Sequence, residues 1–183
     1  MQTIRETISE IKDNRNITKE QLACLLHADD ETEIQELKDA AAQTAKEIYG
    51  NQVYIRGLIE FTNYCRNDCY YCGIRRSNAC ADRYRLTKEE ILTCTDNGYE
   101  LGFRTFVLQG GEDPFFTDEK ICALVQRIKE RHPDCAVTLS VGEKSKESYQ
   151  KYFDAGADRY LLRHETADAV HYRRLHPKEL SLS

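Results

Sequence analysis

CRNDCYYC, residues Cys65 to Cys72, sets three thiols at spacings of four and three directly after the apolar run VYIRGLIEFTN, residues 53–63. Several groups use closely spaced cysteines, and this spacing weighs differently on each. A structural zinc site takes four nitrogen or sulfur ligands, and the nearest histidine in sequence, His27, is far upstream. A disulfide would leave one cysteine over. Bacterial ferredoxin runs space their cysteines C-x2-C-x2-C and add a fourth. A cubane iron-sulfur cluster held by three cysteines would leave one iron without a protein ligand, open to a small chelating molecule.

Outward from this stretch, the chain alternates strands with helices. VYIRGLIEFTN runs into the cysteines as a first strand, and Thr87 with Glu90 caps a helix expected to end near Gly98. FRTFVLQ (103–109) is a second strand closing in GGEDP, followed by a helix from Thr117 to Arg131. AVTLS (136–140) is a third strand ending in VGE. A helix from Lys146 to Ala155 precedes Gly156, RYLLRHE (159–165) is a fourth strand, and Thr166 to Leu175 is a last helix. Strands separated by helices of this length imply right-handed crossovers and a parallel sheet. The expected fold class is therefore α/β.

Upstream, residues 2–49 read as two or three helices. Thr18 with Gln21 makes a capping box, and Ile34, Leu37, Ala41, Ala45 and Ile48 recur at helical spacing until Gly50. The organisation expected is a helical preface over 1–50 and four βα units over 51–183, with no further boundary. Cys65, Gly110 with Gly111 and Glu112, Glu143, and Arg163 with Glu165 all fall at carboxyl ends of expected strands, where parallel α/β folds collect ligands. Gln109, Thr138 and Ser140 alternate along their strands so as to face inward.

Composition narrows the function classes. The 183 residues are 40% hydrophobic and 31% charged, with a net charge of −5 and basic residues dispersed among acidic ones. That gives no electrostatic footprint for a nucleic acid. The cluster RRSN and RYR, within Arg75 to Arg85, is the local exception and reads as a solvated loop. The first twenty residues lack an apolar h-region and no long apolar run occurs, so the expectation is a cytoplasmic chain without membrane contact. In that reducing setting Cys24, Cys80, Cys94, Cys122 and Cys135 read as buried or free thiols.

C-x3-C-x2-C with an aromatic before the last cysteine, at the end of a first strand, resembles the signature of radical S-adenosylmethionine (SAM) enzymes. The resemblance implies a βα barrel of the TIM type, here partial, with a [4Fe-4S] cluster on Cys65, Cys69 and Cys72. It also implies SAM chelated to the open iron and Tyr71 beside the adenine. LQGGEDP (108–114) is similar to the element that approaches the methionine amino group through Gly110, Gly111 and Glu112. Arg163 and Glu165 resemble the pair that binds the SAM carboxylate and ribose, with Gln109 and Ser140 lining the same cavity. No catalytic side chain is singled out.

Within that superfamily, IEFTNYCRNDCYYCGIRRSN (59–78), RYRLTKEEI (83–91), VLQGGEDP (107–114), TLSVGE (138–143) and AGADRYLLRHETAD (155–168) are together similar to the [FeFe]-hydrogenase maturase family HydE. This implies reductive cleavage of SAM, a small-molecule or small iron-complex substrate, and other maturation proteins as partners. Biotin synthase and methylornithine synthase share the frame, and a non-catalytic metal-binding fragment is the rival from another class. A whole (βα)8 barrel takes about 250 residues, so the expectation is half a barrel, with the stretch RRLHPKELSLS (173–183) leading toward a missing half needed to complete the SAM site.

Overall fold

In the computed structural model, which describes residues 3–14 and 16–178, the chain divides into two compact units, Met1–Tyr54 and Ile55–Ser183. Residues 179–183, the end of RRLHPKELSLS, lie outside the described part.

The first unit is helical: α1 (Ile4–Asn14), α2 (Lys19–Leu26) and α3 (Glu31–Tyr49). The Thr18 side chain accepts from the Gln21 amide while Gln21 answers to the Thr18 amide, so the expected capping box opens α2. Asp30 caps α3 by accepting from the Thr32 and Glu33 amides, and Gly50 closes it with φ 63°. The apolar stripe is only partly used. Ile34 and Leu37 are half-buried, but Ala41, Ala45 and Ile48 are exposed.

The second unit follows the expected alternation: β1 (Gly57–Thr62), α4 (Lys88–Glu100), β2 (Thr105–Gly110), α5 (Asp118–Arg131), β3 (Ala136–Ser140), α6 (Lys146–Asp154), β4 (Arg159–Tyr160) and α7 (Ala169–Leu175). All pairings are parallel, in the order β1-β2-β3-β4. Alternation along the strands sorts side chains between two faces. Ile59, Phe61, Phe106, Leu108, Val137 and Leu139 point outward and are buried with Ile91, Leu92, Ile121, Leu124, Val125, Ile128 and Tyr152 of α4 to α6. Each such side chain contributes roughly 1.5–3 kcal/mol when fully buried, so this outer layer holds the unit together. The opposite face carries Glu60, Gln109, Thr138 and Ser140 and is free to serve a ligand.

Several boundaries depart from expectation, beginning with β1, which opens at Gly57 and not at Val53, where Val53, Tyr54 and Ile55 are exposed. Helix α4 runs through Gly98 to Glu100, because a Cβ at Gly98 would stand 2.6 Å from the Phe106 ring: the glycine is there to admit Phe106, not to stop the helix. Strand β4 has two residues where seven were expected. Its ladder lasts only as long as β3 offers partners: Arg159 pairs with Thr138, Tyr160 with Leu139, and the Leu161 amide donates the last bond to Leu139 before β3 ends and Gly142 turns with φ 82°. Helix α7 starts at Ala169, three residues late, because Asp168 is its cap and accepts from the His171 amide at 2.6 Å.

Candidate functional site

The carboxyl ends of β1, β2 and β3, with the chain beyond β4, surround a cavity of about 250 Å³. Cys65, Cys69 and Cys72 line it together with Tyr71, Gln109, Gly110, Gly111, Glu112, Ser140, Arg163 and Glu165, so every residue singled out as a ligand or cofactor contact borders one space. Thr138 shares the inward face but does not line it. An adjoining cavity of about 280 Å³ shares Cys69, Tyr71, Glu112 and Arg163 and adds Glu143, Tyr172 and His176. Side by side, the two reach the ~300–1,000 Å³ usual for small-molecule sites.

The cysteine loop is irregular backbone, and its polar groups must be satisfied from elsewhere. The Cys72 amide donates to the Cys69 carbonyl at 3.0 Å and the Arg76 amide to Asn67 at 2.9 Å. Arg83 does most of the rest: its guanidinium donates to the carbonyls of Asn63, Ile74, Arg75 and Asn78. Arg85 lies 3.9 Å over the Tyr64 ring and grips the Asp113 carboxylate through Nε at 2.6 Å and Nη2 at 2.9 Å. The stretch from Arg75 to Arg85 is an irregular loop with most of its residues exposed, as expected from its charge, but not all of that charge faces solvent. Arg83 is spent on carbonyls within the loop and Arg85 on Asp113 beside it, and both brace the backbone that carries the thiols.

Asp113 also accepts from the Thr62 hydroxyl at 2.7 Å and the Phe115 amide at 3.0 Å, and its side chain is 1% exposed. Burial alone would push this carboxyl up, but the bonds from Arg85 and Thr62 outweigh it and hold the group below the usual carboxylate range. Its stabilising effect is thus present above the unfolded-state value of about 3.9 and is lost as pH falls through the lower folded value. Asp113→Ala should cost about 3 kcal/mol in chemical denaturation, the low end for breaking a buried pair because Arg85 is partly exposed. Asp113→Asn should remove this share of the acid sensitivity, and acid-unfolding curves that overlay on the parent would contradict the assignment.

The GGE turn explains itself through the loop it touches. A Cβ on Gly111 would stand 2.2 Å from the Tyr64 carbonyl oxygen and 2.8 Å from the Cys65 Cβ, so the bare Cα lets the cysteine loop seat against β2. The Glu112 carboxylate receives Arg66 through Nε at 2.9 Å and Nη2 at 2.8 Å, and accepts from the Glu143 amide at 3.4 Å. Gly142 makes room for it, since a Cβ there would lie 2.0 Å from the Glu112 Cγ. Glu112 thereby ties the ends of β2 and β3 to the residue following Cys65.

The cavity floor is a hydrogen-bonded row across the sheet. Gln109 donates to Glu60 at 2.9 Å and accepts from Arg163 at 2.7 Å, with Glu60 and Gln109 in direct register. Arg163 thus binds Gln109 and is not ion-paired with Glu165. Glu165 adopts φ 63°, the one non-glycine residue with positive φ among the described residues. Left-handed backbone at such a residue is strained and concentrates at functional positions. On the other side, the Tyr70 amide donates to the Leu175 carbonyl at 2.9 Å, and the Tyr71 hydroxyl meets His176 Nε2 at 3.2 Å. Burial first, then the neighbouring Cys69 and Glu165, push the Tyr71 phenol well above its ordinary value.

Sequence reasoning missed Glu60, Arg66, Arg83, Arg85, Asp113, Gly142 and His176. Glu60 had a signal, since it alternates with Leu58 on the inward face. The others act mainly through contacts across gaps of up to 105 residues and left none.

The donor set suits a cluster. Among the described residues, no group of three or more His, Cys, Asp or Glu side chains is arranged to hold a single metal ion. A cubane makes a different demand, because each thiolate takes its own iron, and the three cysteines that would supply them line one cavity. Burial and then the nearby Cys65 and Cys72 push the Cys69 thiol up, the condition that bound iron would relieve by stabilising the thiolates.

Comparison with known proteins bears on this arrangement. Residues 59–181 match the family model "Radical SAM superfamily". The [FeFe] hydrogenase maturase subunit HydE of Thermotoga maritima is 43% identical over 175 residues, 96% of this chain and 49% of that protein. The 3-methylornithine synthase of Methanosarcina acetivorans is 30% identical over 87% of this chain and 45% of its own length. The crystal structure of HydG, a maturase of the [FeFe]-hydrogenase, superposes with a TM-score of 0.86 at 30% identity, covering 96% of this chain and 40% of that one. The chain spans about half the length of the curated relatives it matches. With the match running from β1 through α7 and the cysteine loop and GGE turn meeting at one cavity, the chain belongs to the radical SAM superfamily.

Proposed function

We propose that this chain supplies the cluster- and SAM-binding half of a radical SAM enzyme of [FeFe]-hydrogenase maturation. The observation that carries the reading is the meeting of Cys65, Cys69 and Cys72 with the ends of β1, β2 and β3 and the chain beyond β4 around one cavity. The identity to HydE across nearly the whole chain favours the maturation role. When bound, a [4Fe-4S] cluster supplies the electron that cleaves SAM to a 5'-deoxyadenosyl radical. The three cysteines hold it, Gly110 and Gly111 leave backbone open to the amino acid end of SAM, and Glu165 accepts from the ribose. Arg163, fixed by Gln109, presents a cation to the SAM carboxylate.

The substrate is a small molecule or small iron complex, handed on to other maturation proteins, and neither nucleic acid nor membrane takes part. Among the described residues no helix is long and apolar enough to cross a membrane. We place the chain in the cytoplasm, where thiols stay reduced. The similarity to 3-methylornithine synthase supports a second reading, a radical SAM enzyme acting on an amino acid.

The test is SAM binding. Glu165→Ala should weaken it by about 1.5–3 kcal/mol, the range for a hydrogen bond to a charged group, while cluster assembly is retained. Titrations that overlay on the parent would remove Glu165 from the site.

A further inference from the structure

Away from the cysteines, a groove of about 440 Å³ opens between the start of α4 and α5. Its lining is apolar: Phe116 and Leu124, both buried, lie beneath it with Leu86, and Phe115 stands at its edge, half exposed. The charges around it are of one sign. Arg85, Lys88 and Lys120 border the groove and no carboxylate does, in a chain whose net charge is −5. Arg85 is spent on Asp113. The lysines are not. Lys120 donates to the Phe115 carbonyl at 3.0 Å and lies 3.3 Å over the Phe115 ring, and among the described residues neither Lys88 nor Lys120 is paired with a carboxylate. The acidic residues that open α5 are committed elsewhere: Asp118 accepts from Ser148 and Tyr152, and Lys151 lies 3.9 Å from Asp118 and 3.7 Å from Glu119.

The geometry points to this groove as the docking site for an acidic segment of a partner protein, which inserts apolar side chains beside Phe115 and sets carboxylates on Lys88 and Lys120. An exposed aromatic over a buried apolar base, rimmed by long polar side chains, is the anatomy of a protein-binding patch. Phe115 is held in place by cations, with Lys120 over its ring and the Arg85 guanidinium 4.9 Å from its centroid. The sign of the rim selects the partner. An apolar groove alone would accept any greasy segment, but two unpaired lysines repel a basic one and draw an acidic one in. Arg85 also links the groove to the cysteine loop, because it stacks on Tyr64, the residue before Cys65. The inference goes beyond the proposed function and needs no cluster.

It is tested on the metal-free, ¹⁵N-labelled chain with a blocked synthetic peptide that carries Leu and Phe at helical spacing among Glu residues. Saturable binding is expected, with amide shifts centred on Leu86 to Lys88 and Phe115 to Leu124. The same peptide with Gln in place of Glu should bind about tenfold more weakly, through loss of two exposed ion pairs, and Lys88→Glu combined with Lys120→Glu should weaken the Glu peptide at least as much. Ala123 lines the groove from an exposed position on α5, so Ala123→Glu should abolish binding while the chain keeps its unfolding curve. Absence of saturable binding, equal affinity for the Gln peptide, or binding retained in Ala123→Glu would overturn the inference. A groove that octanoate saturates and the peptide does not would be a small-ligand pocket, and would overturn it as well.

Discussion

Replacing Cys65, Cys69 or Cys72 by Ala is expected to abolish cluster assembly in the anaerobically reconstituted chain, while Cys80→Ala and Cys122→Ala keep the iron and sulfide content of the parent. The contrast follows from position. The three share one braced loop and one cavity. Cys80 is exposed and does not line the cavity, and Cys122 sits on α5, where its thiol lies 3.5 Å from the Lys151 carbonyl. A cluster with one of its three protein ligands removed leaves two irons open to water, and thiolate ligation is what holds such clusters in a protein. Equal iron content across all five variants would remove the trio from the site.

Gly111→Ala is the second large effect. The new methyl would meet the Tyr64 carbonyl oxygen at 2.2 Å and the Cys65 Cβ at 2.8 Å, and neither is the far end of a flexible side chain. Relief requires moving either the end of β2 or the whole cysteine loop, and the loop is pinned by Arg83 and Arg85. Overpacking costs about 1–3 kcal/mol, occasionally more, and backbone on both sides of the clash puts this case at about 3 kcal/mol. Chemical denaturation should show that loss together with impaired cluster assembly. Gly73→Ala, where a Cβ meets nothing within 4 Å, is the control. A Gly111→Ala chain with parental stability and iron content would mean the loop does not seat against β2.

These two effects also mark what was readable in advance. The cysteine trio and the GG pair are local signals: spacing for one, glycine after an apolar strand for the other. The same holds for the capping boxes at Thr18 and Thr87 and for the alternation that sent Phe61, Leu108 and Leu139 into the core. What escaped was set by distant contacts. RYLLRHE has the composition of a seven-residue strand, yet its length is decided by where β3 stops. Gly98 looks like a helix terminator until Phe106 claims the space beside it. The charges of Arg83 and Arg85 suggest solvent, while their partners are carbonyls of the cysteine loop and a carboxylate 28 residues on. His176 had no local pattern at all, since its meaning comes from Tyr71 across 105 residues. Sequence shows which residue types could carry chemistry, and the side chains that hold them in place are visible only once the fold brings them together.

The central claim is that this loop and these strand ends form one site for a cluster and SAM. Electron paramagnetic resonance of the reconstituted, chemically reduced chain, recorded before and after adding SAM, tests it most directly. The account predicts the spectrum of a reduced four-iron cluster whose g values shift when SAM takes the open iron, with the shift weakened in Glu165→Ala. A tightly bound, EPR-silent and colourless metal, or a cluster spectrum indifferent to SAM, would contradict it.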